Sequence, residues 1–428
     1  MRRLRAKIGS AVSCLCLFVV SDAFADDYHY VNMLVGDRAT GLGGAYTAVS
    51  DDPAGCFFNP AGIAFAPHSS LSASVNAFAT STKTYQDALL DVNGNSLDWE
   101  QESSSLVPNF FGIVRKFGSG MVGFSYAVPD SIQRRQKQTF HDIRSVIPDN
   151  NIGLYTININ DSDETYLIGP SYAYGFSHSF SVGATLYLYY RDMEVIRNQM
   201  LQFEQGEHCL INYYETKTAW GYKPILGAIW EPIEKLALGL SVSKTYVTSS
   251  DNEQQTTFRD TTRDEPYVDD YNYDFSDTDT IYFRSSTDSE KDKFPFTASL
   301  GLAYFASPKL LFSGNITYYE EVSDKETTYN FALGTEYYLA DTFAVRAGLF
   351  TDNANTPNLS SGDDNQPEHI DIYGTVLSAT LFGRTSSISL GMSYGLGKGD
   401  AQIVQNNSTI QDVKIENFTA YVSASYHY

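Results

Sequence analysis

Stretches of about ten residues that alternate apolar and polar positions follow one another from about Ser69 to the end of this chain. In "SLSASVNAFA", Leu71, Ala73, Val75, Ala77 and Ala79 share one face, and Ser70, Ser72, Ser74 and Asn76 share the other. A period of two belongs to an extended strand, not to a helix. The later stretches come in pairs across tight turns. "VPNFFGIVRKF" and "GMVGFSYAV" meet at Gly118-Ser119-Gly120, "TYLIGPSYAYG" and "SFSVGATLYLYY" at Phe176-Ser177-His178, and "GYKPILGAIW" and "LALGLSVSKTY" across "EPIEK". "FTASLGLAYF" and "KLLFSGNITYY" join at Ala306-Ser307-Pro308, and "YNFALGTEYYL" and "FAVRAGLF" at Ala340-Asp341-Thr342. "IDIYGTVLSATLF" and "SISLGMSYGLG" join at Gly383-Arg384-Thr385, and "IENFTAYVSASYHY" closes the chain, giving 14 strands.

The connections sort into two classes. Tight turns alternate with long polar segments, Ser81 to Ser104, Pro129 to Glu164, Asp192 to Ala219 and Val247 to Lys293. An even strand number with short turns on one side and long loops on the other describes an all-β, 14-stranded antiparallel transmembrane β-barrel. A soluble sandwich also alternates, but it does not separate its loops by length in this way. Both termini are expected on the short-turn side, in the periplasm. In the last strand Phe418, Ala420, Val422, Ala424 and Tyr426 share one face, and Thr419, Tyr421, Ser423, Ser425 and His427 the other. Lipid outside requires the first set, and a wet or protein-filled lumen accepts the second. The terminal aromatics Phe418, Tyr426 and Tyr428 resemble the signal read by barrel-assembly machinery.

The start of the chain is of another kind. "MRRLRAKIGSAVSCLCLFVVSDAFA" has a basic head, an apolar run to Val20 and the small-x-small close Ala23-Phe24-Ala25, so residues 1–25 read as a signal peptide and the mature chain as starting at Asp26. Cys14 in "AVSC" loosely resembles a lipobox, but it follows Lys7 too closely for the usual apolar core. Lipidation is therefore disfavoured. Cys56 and Cys209 then remain, and two distant cysteines make no disulfide framework. The net charge of −22 argues against nucleic acid as a partner. With 31 Tyr and 26 Phe, the composition suits an apolar belt with charged, wet ends.

No triad, metal cluster, phosphate loop or cofactor motif is present in the sequence, and an enzyme is not expected. "DFSDTDT" at Asp274 and the neighbouring acidic residues Asp264-Glu265 and Asp269-Asp270 read as solvated charge, without the glycine and glutamate of an EF-hand loop.

Between leader and barrel, residues 26–68 contain "GLGGAYTAVSDDPAGCFFNPAGIA", which is too rich in glycine and turn residues for a strand. A lumen of 14 strands is too wide for its own side chains to fill. This segment is the natural plug, or hatch, leaving 69–428 for the barrel. Gly41, Gly43, Gly44 and Ala45 permit close backbone packing. Asn59 and Pro60 shape a turn, and Phe57, Phe58 and Phe65 give it an apolar surface.

With "GLGGAYTA", the pair Asp51-Asp52 and "NPAG" (Asn59, Pro60, Ala61, Gly62), the chain resembles the FadL-type long-chain fatty-acid transporters and their hydrocarbon-channel and PorV-like relatives. "VPN" at Val107 to Asn109, placed at the opening of the second strand, and "ALGTEYYLADTFAVRAGLFTDN" extend the likeness over the mature chain. The resemblance implies a hatch-plugged monomeric barrel in the bacterial outer membrane. It also implies passive uptake of fatty acids or similar hydrophobic compounds, with lateral exit into membrane lipid at a kink in the third strand. Here that strand is "GMVGFSYAV", where Gly123 and Pro129 disturb pairing.

A fatty-acid carboxylate needs one cationic or polar partner. Alternation turns Glu336 and Arg346 inward and, across a turn centred on Asp341, sets them opposite each other. Arg346 is thus either a brace for the lumen or a carboxylate partner, and Arg115 is a second candidate beside a short turn. Phe57, Phe58 and Phe65 are candidates for ligand contact or for hatch packing. Two other roles remain open, a PorV-like protein-secretion shuttle and a surface adhesin working through its acidic loops.

Overall fold

The computed structural model describes residues 28–31, 33–145, 147, 149–261, 267–268, 274–275, 281–403 and 408–428. The leader 1–25, Asp26, Asp264-Glu265, Asp269-Asp270 and most of "DFSDTDT" lie outside these residues. The wall is built from β1 (Ser70–Leu90), β2 (Ser96–Phe117), β3 (Gly120–Ile143), β4 (Ile152–Ser177), β5 (Phe180–Phe203), β6 (His208–Ile233) and β7 (Leu236–Ser243). β8 (Tyr246–Asp260) carries the path of β7 onward; then come β9 (Tyr267–Val268) and β10 (Asp274–Phe275), which pair with each other, and β11 (Tyr282–Asp288), which pairs with β8. β12 (Thr297–Ser307), β13 (Leu310–Tyr319), β14 (Thr328–Ala340), β15 (Phe343–Asp352), β16 (His369–Phe382), β17 (Ser386–Ala401) and β18 (Gln411–His427) complete the ring. Each of these neighbours pairs antiparallel. β7 bridges β6 to β12 and β18 pairs with β1, so 14 strands close on themselves.

The alternation read from the sequence is the alternation of the wall. On β14, Phe331, Leu333, Tyr337 and Leu339 are exposed outward, whereas Glu336 is 1% exposed. On β18, Phe418, Val422 and Tyr426 face out, with Tyr421 and Ser423 buried inside, and Tyr428 just past its end is exposed. In water this much exposed Leu and Phe would be costly, and in lipid it is the outer solvent-facing surface. An aromatic row marks one rim: Tyr126, Tyr166, Tyr190 and Trp220 follow one another with ring centroids 6.3, 6.0 and 4.4 Å apart.

Two expectations about the strands are corrected. The long polar segments are mostly strand, not loop: β2 begins at Ser96 rather than at "VPN", and β3–β4 pairing continues through Arg134↔Asp161 to Ile143↔Ile152. Beyond the lipid belt both faces of a strand meet polar surroundings, so the apolar–polar contrast that signals a strand fades while the ladder goes on. Polar inward residues satisfy one another there, as in the ion pairs Arg134–Asp161 (2.7 Å), Arg197–Asp161 (3.0 Å) and Arg191–Asp163 (2.6 Å). Above them Tyr85, Trp99, Tyr155, Leu201, Phe203 and Ile372 pack into one apolar cluster that roofs this end. The second correction is in β1, where an irregularity between Asn76 and Phe78 flips the alternation. Phe78 faces out at 51% exposure, and Ala79 lines the lumen.

The described residues of the hatch lie inside the cylinder. They form a short helix, Asp37–Gly41, a second helical turn, Gly55–Phe58, and a 3-10 turn, Pro60–Phe65. The wall receives them at inward glycines close to the short turns: Gly183, Gly227, Gly239, Gly301, Gly334 and Gly348 each bring strand backbone against hatch atoms, where a methyl group would overlap them. The first described residues run instead to the long-hairpin end. Asn355 N–H donates to the Tyr28 carbonyl (2.9 Å), Tyr30 and Val31 N–H groups donate to Asp352 Oδ1 (3.3 and 3.2 Å), and His29 Nε2 donates to the Ile370 carbonyl (2.6 Å). His427 pairs with Ser70 at the short-turn end. The two ends of the described chain therefore sit at opposite ends of the cylinder, not both on the short-turn side.

Candidate functional site

Charge ties the hatch to the wall. Glu336 and Arg346 stand directly opposite on β14 and β15, and Arg346 Nε donates to Glu336 Oε1 at 2.8 Å. Arg38, from the first hatch helix, forks onto the same carboxylate through Nη2 (2.6 Å) and Nε (3.0 Å) and reaches Asp51 through Nη1 (2.7 Å). On the other flank Arg346 Nη1 donates to Thr380 (2.7 Å) and lies 3.5 Å from Asp37, which accepts from Ser389 (2.7 Å). A carboxylate that is 1% exposed is thus shared by one guanidinium of the hatch and one of the wall.

Asn59 makes a second tie. Its Oδ1 accepts from Ala61 N–H (3.1 Å), which starts the 3-10 turn with Pro60 at its first position. Its Nδ2 donates to Thr47 within the hatch (2.8 Å) and to Ala228 on β6 (3.1 Å). The same residue shapes the turn and fastens it. Gly41 packs on Arg346 and Ser378, Gly43 and Gly44 adopt positive φ (64° and 84°), and Ala45, Ala61 and Gly62 are buried. Asp52 accepts from Ala54 N–H (2.8 Å), and burial, with Asp51 beside it, pushes its carboxyl up to about 6.

The wall is interrupted above this seat. β2–β3 pairing runs from Phe117↔Gly120 to Phe110↔Ala127, stops, and resumes at Ser103↔Arg134 in the same register. That register sets Pro108 and Pro129 opposite each other. Neither carries an N–H, so β2 and β3 each lose a ladder donor at this level, where their outer ladders with β1 and β4 are irregular too. The β1 irregularity at Asn76 and the β3–β4 shift between Ala127 and Asp130 lie at the same height. Asn109 borders the gap and is 1% exposed. It accepts from Ser74 Oγ (2.6 Å) and donates to the hatch carbonyl of Leu34 (2.8 Å). One side chain joins the edge of the gap to the plug.

A lumenal cavity of about 1020 Å³ lies above the hatch, between Tyr28 and Leu34 of the plug and Trp99 and Ile372 of the roof. Arg134, Arg191 and Lys217 line its sides with Asp292, the shared partner of the last two, so its wall is amphipathic. On β6, pairing with β7 reaches Ile225↔Ser243 and pairing with β8 resumes at Tyr222↔Tyr246, leaving Lys223 and Pro224 between them. Lys223 faces inward, with its ammonium 5.6 Å from the ring centroid of Phe57.

Of the residues singled out in the sequence, Arg346 lies in the ion cluster, and Phe57 and Phe58 pack on the hatch core, where Phe58 meets Tyr46 edge-on at 5.6 Å. Phe65 is half-buried at the far end of the 3-10 turn. Arg115 is exposed on the outward face shared with Phe111 and Phe117, and it does not join the lumen. Arg38 and Lys223 were not singled out; Pro108 and Asn109 were noted only as part of "VPN", and Pro129 as a disturbance of the third strand, not as facing Pro108. The prolines and the mid-strand glycines were visible signals, since each disfavours an ordinary strand interior.

The sequence profile described as outer membrane protein transport protein (OMPP1/FadL/TodX) matches residues 32–368. No curated protein matches the chain. Among solved structures, a Pseudomonas aeruginosa FadL homologue is similar at 15% identity and a TM-score of 0.60, covering 93% of this chain and 99% of its own. The P. putida toluene transporter TodX is similar at 13% and 0.61, with coverage of 93% and 99%. The Ralstonia pickettii toluene transporter TbuX is similar at 12% and 0.57, with coverage of 93% and 100%. At such identities these likenesses concern the fold, while the profile match spans most of the sequence. The chain belongs to the OMPP1/FadL/TodX family of outer-membrane transport proteins.

Proposed function

We propose that this barrel takes up hydrophobic compounds, long-chain fatty acids among them, by passive diffusion gated by the hatch, and releases them sideways between β2 and β3. The observation that carries this reading is the pairing gap at Pro108 and Pro129, bordered by an asparagine bonded to the hatch. An acyl chain gains about 0.8 kcal/mol for each methylene withdrawn from water. A lateral exit passes it from protein to hydrocarbon without returning that energy. The toluene transporters among the structural neighbours extend the candidate cargo to small aromatic compounds.

In this reading residues 1–25 direct export, 26–68 act as the hatch, and the long hairpins face the exterior. Arg346 seats the hatch instead of holding cargo. Phe57 and Phe58 offer the hatch's apolar surface to a passing ligand, with Phe65 closing its base. Phe418, Tyr426 and Tyr428 present the last strand to the assembly machinery.

Mass spectrometry of molecules retained by the purified protein tests the proposal, with a hatch-deleted chain as control. Acyl chains or hydrocarbons held by the intact protein and lost on hatch deletion are expected. A protein free of them that carries a large secreted client would replace transport with a shuttle role.

A further inference from the structure

The long strands β3 to β6 carry a second pattern on the face that points away from the lumen. Their inward residues in the upper wall are closed, with Ile157, Ile159, Asp161, Arg197 and Gln199 all buried. The alternate, outward residues stand in register from strand to strand. Lys137, Asn158, Asn198 and Asn212 form one row, and Arg135, Asn160, Ile196 and Tyr214 form the row beneath it. Outward neighbours on a sheet commonly satisfy one another. Here the side chains of Arg135, Lys137 and the four asparagines make no ion pair or hydrogen bond among the described residues. Both cations, three of the asparagines and Ile196 border a shallow hollow of about 480 Å³ whose lining holds no carboxylate. In a chain of net charge −22 that is a local reversal of sign. Carboxylates return lower on the same face, with Glu194 in the next row down and Glu164 opposite Asp192 below it.

Height narrows what can cover this face. The aromatic row Tyr166, Tyr190 and Trp220 marks the rim of the apolar belt on the same strands. Asn160 and Asn158 lie six and eight residues above Tyr166 on β4, which is about 15–20 Å above the rim once strand tilt is allowed for. A lipid rooted beside the rim reaches that level with its sugars. Chemistry narrows it further. Each carboxamide offers two donors and an acceptor in one plane, a match for sugar hydroxyls. Arg135 and Lys137 are two residues apart on one face, about 7 Å, and both favour phosphate. The face has no exposed aromatic anchor of the kind a protein partner uses, since Tyr214 and Ile196 are half-buried.

Resting on the orientation proposed above, with the long hairpins outside, we propose that this face docks a phosphorylated glycolipid of the surrounding outer leaflet. Its phosphate sits on Arg135 and Lys137, and its neutral sugars lie along the asparagine rows. The upper wall is thereby held in the sugar layer of the membrane, beside the strand edge at which β2 and β3 part.

The test adds four probes to the detergent-purified full-length protein and reads binding by native mass spectrometry: lipopolysaccharide with a phosphorylated core, the same material dephosphorylated, its core oligosaccharide freed from lipid, and phosphatidylglycerol. Arg135→Gln combined with Lys137→Gln is expected to weaken intact lipopolysaccharide by roughly threefold to thirtyfold, the range of two exposed charge pairs, and to leave phosphatidylglycerol unchanged. Asn158→Ala combined with Asn198→Ala is expected to weaken the intact and the dephosphorylated forms alike. Parent-like binding of lipopolysaccharide by the charge variant, or equal weakening of phosphatidylglycerol, overturns the docking surface and leaves the orientation standing. Equal affinity of the parent for the freed oligosaccharide overturns the membrane source and gives the face to a soluble glycan. Orientation is read separately from Asn93→Cys, at the exposed turn between β1 and β2. It is expected to react with a membrane-impermeant maleimide on intact cells. Reaction only after the outer membrane is opened overturns the orientation and this inference with it.

Discussion

Arg38→Ala separates the hatch from the wall while leaving the wall pair intact. In the parent, Arg38 places three N–H contacts of 2.6, 3.0 and 3.2 Å on Glu336 and one of 2.7 Å on Asp51. Breaking a buried ion pair by removing one partner costs about 3–5 kcal/mol. Arg38 is 18% exposed and Glu336 keeps Arg346 at 2.8 Å, which places the loss at or just below the lower end of that range. About 2–3 kcal/mol corresponds to a rise of roughly 30- to 150-fold in the population with the hatch released. Cys56 is a native reporter, fully buried between hatch and wall beside Gly123. Where opening and closing are faster than reaction, its labelling rate follows the open population. Labelling at Cys56, read by peptide mass spectrometry, should accelerate by that factor, while the melting of the barrel stays near the parent's. Arg38→Lys keeps charge but not the fork, so it should fall between. Parent-like labelling in Arg38→Ala would refute the argument that this ion cluster seats the hatch.

Gly227→Ala places a methyl on the Asn59 carboxamide. It should unseat the 3-10 turn and speed Cys56 labelling without opening the β5–β6 ladder, as hydrogen exchange would show. Asp52 holds its proton up to about pH 6 when seated, against 3.8 when free. The seated hatch therefore binds a proton that the released one gives up between those values, and seating strengthens as pH falls through 6. Cys56 labelling, corrected for free-thiol reactivity, should slow from pH 7 to pH 5, and Asp52→Asn should flatten that dependence.

The barrel was legible because lipid imposes a strict rule on one face of each strand. Leu333, Tyr337, Val422 and Tyr426 obey it, and their exposure matches the period of two. The register of Glu336 on Arg346 was legible too, since a tight turn fixes which residues face each other. The strand extensions were hidden because above the lipid belt no solvent contrast remains to mark them. Arg38 was hidden for another reason: an irregular segment has no period, so nothing in the sequence aims its side chain at Glu336. Lys223 sits at an ordinary inward position, and its lack of an ion pair among the described residues is a property of the assembled lumen. The facing of Pro108 and Pro129 needed the β2–β3 register, which hairpin counting from Gly118-Ser119-Gly120 can supply once β2 is known to run past "VPN".

The most direct test is to close the gap. Cysteines at Pro108 and Pro129, in a chain with Cys56 and Cys209 replaced by serine, would be joined by oxidation or by a short bifunctional thiol reagent. Palmitate uptake would then be followed in proteoliposomes, with the joined fraction verified by mass spectrometry. The account predicts that uptake stops in the joined protein and returns on cleavage of the link. Undiminished uptake through the joined wall would contradict it.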